Sequence, residues 1–163
     1  MPERVPYART AAMACGVDLS AEDEVIYRMR RAIRELPMPR HIISTPNAPS
    51  SPLFAQAVRA GSHIYVSGTT GIDPETRALA GDSIQEQTRQ ALVNCRAILQ
   101  AAGATLADVV EVGILLTDPT DFDGMNEEYA RWFSADPPAR YAAKLGAEIP
   151  GLLVSIRMTA IDE

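Results

Sequence analysis

The stretch Val109–Thr117, VVEVGILLT, constrains the fold more than any other segment. It is β-branched and largely apolar, the pattern of a central strand covered by helices. Two flanking segments supply those helices. Upstream, Ser83-Ile84-Gln85-Glu86 is a capping box, in which Ser83 accepts from the Glu86 amide and the Glu86 side chain reaches back. Ile84, Ala91, Leu92, Cys95, Ile98, Leu99 and Ala102 then line one face, and Gly103 stops the helix. Downstream, a second helix is predicted over about Phe122 to Phe133, with Phe122, Met125, Tyr129 and Trp132 or Phe133 facing inward.

Elsewhere the apolar pattern has period two. His41 to Ser44 is short and extended, and Pro46, Pro49, Pro52 and Ser50-Ser51 mark a loop. Phe54, Gln56 and Val58 then alternate with Ala55, Ala57 and Arg59, and Ala60-Gly61 turns into His63–Ser67, a hairpin. Arg140 to Ala147 and Leu152 to Ile161 read as two closing strands around Glu148-Ile149-Pro150-Gly151. The order β-β-β-α-β-α-β-β implies an α+β fold, an antiparallel-rich mixed sheet with two helices on one face. The other face needs cover too, and assembly supplies it.

Residues 1–40 read as an N-terminal extension to a domain spanning 41–163. Ser20 can cap a helix from about Ala21 to Leu36, with Glu22 and Asp23 in its first turn and Pro37 ending it. Ile26, Met29, Ile33 and Leu36 form one apolar stripe, which a lone helix must pack against another body.

Several function classes lack their materials. Cys15 and Cys95 fit no zinc spacing and are too few for a disulfide framework. The two histidines, His41 and His63, lie in unrelated segments, so neither a metal site nor a Ser-His-Asp triad is expected. The net charge of −6 argues against nucleic acid as a partner. The cluster Arg28, Arg30, Arg31, Arg34 and Arg40 reads as a solvated basic helix end. No apolar run approaches the roughly 18 residues of a membrane span, and the first residues do not resemble a signal peptide. The expected compartment is the cytoplasm.

Six segments, in order, carry a resemblance. They are Ile64–Gly68, Gln87–Leu92, Ala101–Ala104, Leu116–Asp118, Asp121-Phe122 with Asn126–Tyr129, and Pro137–Arg140. Together they resemble the RidA (YjgF) family over about residues 41–161. The resemblance implies a chorismate-mutase-like fold of the bacillus type and a homotrimer with three clefts between neighbouring subunits. It also implies cofactor-free hydrolysis of reactive imines and enamines to keto acids and ammonia.

It assigns roles as well. Arg140, in Pro-Pro-Ala-Arg, is the carboxylate ligand, because a planar guanidinium suits bidentate capture; the alternative is a surface or interface salt bridge. Ser67 and Gly68 match the Ser-Gly that meets the ligand, though turn chemistry also explains them. Asn126 matches an asparagine near the cleft, or is an ordinary helix-surface amide. Phe54 stands where imine-hydrolysing members have tyrosine, and Ala142 where they have cysteine. The glutamate of their last strand has no counterpart in Val154–Ala160, VSIRMTA. Strand parity puts Ser155, Arg157 and Thr159 on the polar face, leaving Ser155 to orient water and Arg157 to add an anion contact or face solvent. The expected function is binding and hydrolytic deamination of a small carboxylated imine, enamine or aminomuconate-like compound. The alternatives are a non-catalytic regulatory trimer that keeps the carboxylate clamp, and a repurposed pathway enzyme.

Overall fold

A computed structural model describes residues 21–35 and 39–162. The chain divides into two compact units, 1–38 and 39–163. In the first, helix α1 (Ala21–Glu35) carries an Arg28–Glu24 pair at 3.1 Å, one turn apart. Val25, Ile26 and Met29 on this helix are exposed. The proposed cap Ser20, the side chain of Ile33, and Leu36 lie outside the described residues.

The second unit is a six-stranded sheet with two helices. Its elements are β1 (Arg40–Ile43), β2 (Ala57–Ala60), β3 (His63–Thr70), α2 (Ile84–Ala101), β4 (Val109–Leu116), α3 (Phe122–Trp132), β5 (Ala139–Lys144) and β6 (Val154–Ile161). Spatially the strands run β1-β2-β3-β6-β4-β5. All neighbours are antiparallel except β4 and β5. The chemistry of connection explains this. Each crossover through a helix, β3-α2-β4 and β4-α3-β5, returns the chain in the same direction, whereas the short turn at Gly61-Ser62 reverses it. The last strand then fills the slot between β3 and β4, pairing antiparallel with both.

Helix α2 starts at the capping box expected from sequence: the Glu86 amide donates to Ser83 Oγ at 3.3 Å and the Ser83 amide to Glu86 Oε2 at 3.1 Å. Its apolar stripe packs on the sheet, and Ala91, Leu92, Cys95 and Leu99 are fully buried with Ile64, Val112, Ile114, Ile156 and Met158. Two amides share that buried face. Gln87 donates to the Gly81 and Gly151 carbonyls and accepts from the Leu153 amide, while Asn94 donates to the carbonyls of Thr70 and Ile72. Both amides tie loops to the helix, which satisfies backbone groups that burial would otherwise strand.

Three expectations shift. The strand expected from Phe54 begins at Ala57, since Gln56 turns its side chain to the preceding loop and Phe54 makes only an isolated bridge with Ser51. The fifth strand ends at Lys144 rather than Ala147. Phe122, expected inward, is 39% exposed, because α3 begins there, directly after the 3-10 turn Pro119–Asp121, while Met125 and Tyr129 face the core. No described helix is long and apolar enough to cross a membrane.

Candidate active site

Arg140 sits on β5, the exposed edge strand, in register with Val112 of β4. Parallel partners share a face, so Arg140 projects to the side covered by helices, where α3 receives it. Its Nη1 donates to Asn126 Oδ1 at 2.7 Å. The guanidinium carbon lies 4.7 Å from the Tyr129 ring centroid and 5.9 Å from that of Phe122. These holders are all neutral. Among the described residues no carboxylate pairs with Arg140, so the fork is fixed in orientation and its charge is left uncompensated. Burial pushes the Tyr129 hydroxyl above its ordinary range, with Arg140 partly offsetting it, so the platform under the arginine stays a neutral ring.

A second cluster gathers at the far side of the sheet. A bulge between Val66 and Thr69 takes Ser67 and Gly68 out of the β3–β6 ladder. Ser67 Oγ donates to the Ala55 carbonyl at 2.6 Å, leaving its lone pairs to accept. Phe54, Ser67 and Gly68 line one pocket of about 260 Å³ with Gln56 and Pro49. Ser155 Oγ lies 3.0 Å from the place a β-carbon on Gly68 would occupy, so a side chain there would crowd the serine, and glycine keeps the approach open. The pocket's wall is set by Gln56, which accepts from the Thr45 amide and donates to the carbonyls of Thr45, Ala48 and Pro49.

The two clusters do not meet within one chain. Ser155 aligns with Leu115 and Thr70, on the face opposite Ile114 and Ile156, whereas Arg140 belongs to the helix side. Two strands, β4 and β6, also separate β5 from β3. Arg157 shares the face of Ser155, and its Cγ stands with the Tyr141 ring over Gly113, so it does not join Arg140. The sequence pattern missed the roles of Tyr129 and Gln56; the first reads as core and the second as an ordinary polar strand position. No group of three or more potential ligands that could hold a metal ion is found among the described residues.

The family model described as Endoribonuclease L-PSP matches residues 45–162. The chain is 40% identical over 126 residues to a RutC family protein of Pyrococcus horikoshii, covering 76% of this chain and 99% of that one. The chain belongs to the RidA (YjgF) family. The human 2-iminobutanoate/2-iminopropanoate deaminase is 38% identical over 124 residues, covering 76% of this chain and 90% of its own. A Rid family protein of Yersinia pestis has the same fold, with a TM-score of 0.72 at 34% identity over 76% of this chain and 99% of that one. Within this RidA-type fold, β6 reads VSIRMTAI and carries no carboxylate.

Proposed function

We propose that the protein hydrolyses a carboxylated imine or enamine, with Arg140 gripping the substrate carboxylate in a cleft between two subunits of a homotrimer. The uncompensated guanidinium, clamped by Asn126 and stacked on Tyr129, carries the reading. In the reaction water adds to the C=N carbon and gives one proton to nitrogen; the new hydroxyl then passes its proton to nitrogen as the C–N bond breaks, giving a keto acid and ammonia. Such substrates are intrinsically labile, so orientation and charge stabilisation accelerate the step without a strong base. The hydroxyls of Ser155 and Ser67 orient water; neither replaces a carboxylate as a base. Turnover of small aliphatic imines is therefore expected to be weak.

The trimer is supported by the separation of the two clusters and by the apolar side chains on the helix-free face, where Ile42, Tyr65 and Tyr141 are exposed. The test generates 2-iminopropanoate and 2-iminobutanoate in situ with an amino-acid oxidase and follows ammonia release with and without the protein. A modest acceleration abolished by Arg140→Ala is the expected result. No acceleration of any carboxylated imine overturns the enzymatic reading. The missing carboxylate on β6 favours a second reading, a ligand-binding trimer, which predicts thermal stabilisation by keto acids without turnover.

A further inference from the structure

Beside the Arg140 fork lies a pocket of about 380 Å³ lined by Leu116, Pro119, Phe122, Ala142 and Lys144. Its position follows from strand parity. Arg140, Ala142 and Lys144 alternate onto one face of β5, in register with Val112, Ile114 and Leu116. Phe122 bridges the two features: its ring stands 5.9 Å from the Arg140 guanidinium carbon and also walls the pocket. The floor is small because position 142 is alanine. Lys144 stands at the far end, within electrostatic reach of Asp118, whose carboxylate caps the turn before α3. Between the two cations the walls are apolar: Leu116, Pro119, Phe122 and Ala142. Arg157 of β6 stands on the opposite face.

We infer that this pocket takes the side chain of the substrate, and that the protein prefers 2-imino acids with a branched or aromatic apolar side chain over the two- and three-carbon imines. This rests on the reading of Arg140 as the carboxylate ligand. A carboxylate held by the fork directs the adjacent carbon chain along β5 past Phe122, towards Ala142. The free volume is ample for an isobutyl or benzyl group, and such groups reach the apolar walls at Leu116, Pro119 and Phe122, which a methyl group touches least. Ala142 is then a specificity-determining residue, and its small size admits the larger groups.

The test compares kcat/KM for imines generated in situ from leucine, phenylalanine and alanine, in the wild-type protein and in Ala142→Leu. The residue is exposed on an edge strand, so the larger side chain displaces no core. The wild type should favour the leucine and phenylalanine imines by about tenfold, the scale of a few methylenes in a fitted pocket. In Ala142→Leu that ratio should collapse by a similar factor. Equal preference in the wild type, or a ratio untouched by the substitution, overturns the inference while leaving deamination intact. If no imine is hydrolysed, the deaminase reading fails, and the pocket is tested by binding alone. Thermal shifts with 4-methyl-2-oxopentanoate should then exceed those with pyruvate and lose that excess in Ala142→Leu. Equal shifts, or none, refute the pocket assignment.

Discussion

Gln56 holds the loop before β2 through four contacts with backbone groups, at 2.6 to 3.0 Å, and is only 5% exposed. Replacing it with leucine strands a buried amide and three carbonyls, so Gln56→Leu should lower stability by about 2 kcal/mol in chemical denaturation. Gln56→Glu should be no better at neutral pH, because a carboxylate cannot donate. A variant as stable as the wild type would show that water replaces the side chain. At Arg140 the expectation is the reverse. The residue is exposed, so Arg140→Lys should unfold at the wild-type temperature yet lose at least about tenfold in kcat/KM, as a point charge replaces a planar fork. Legibility in the sequence differed between these two residues for a physical reason. The motif around Arg140 announces its chemistry, whereas a glutamine at an alternating position reads as surface until the loop above it is placed. Phe122 escaped for a related reason: helical spacing put it on the apolar stripe, but it opens the helix and so looks out beneath the arginine.

Helices α2 and α3 are fastened by Glu128, whose side chain is 3% exposed. It accepts from Arg89 Nε at 3.0 Å and Nη2 at 2.9 Å, and from Trp132 Nε1 at 3.1 Å. The hydrogen-bonded Arg89 guanidinium holds the Glu128 carboxyl below its ordinary range. A carboxyl with a lowered folded pKa stabilises the fold above its unfolded value, about 4.3, and loses that contribution as pH falls through the folded value. Glu128→Gln should therefore be less stable than the wild type at pH 7, with the difference shrinking towards pH 3. An equal difference at both would mean that packing, not charge, fixes α3. At Gly71 the limit is steric: a β-carbon would lie 2.6 to 2.9 Å from Gln87, backbone included. Gly71→Ala should cost about 2 kcal/mol, since α2 must move away from β3. Helices were the elements best read from sequence, because caps and spacing are local. The bulge at Ser67-Gly68 and the slot taken by β6 depend on partners distant in the chain, and local periodicity carries no record of them.

At the scale of the whole molecule, every described residue of the buried hydrophobic cluster lies between Ala48 and Ala160. A chain beginning at Pro39 should therefore unfold in one cooperative thermal transition; a broad, non-cooperative melt would show that residues 1–38 are needed for folding. The full chain should sediment as a trimer, and a monomer at micromolar concentration would refute the proposed assembly. The placement of Arg140 on the helix side of the edge strand and of Gly68 beside Ser155 has a genetic corollary. Chains carrying Arg140→Ala and chains carrying Gly68→Val should each be inert alone, yet unfolding and refolding them together should revive the preparation. In a head-to-tail ring assembled at random from equal amounts, roughly one junction in four draws an intact half from each neighbour. Recovery near that fraction is expected; two dead preparations that stay dead when mixed would mean that both halves must belong to the same polypeptide.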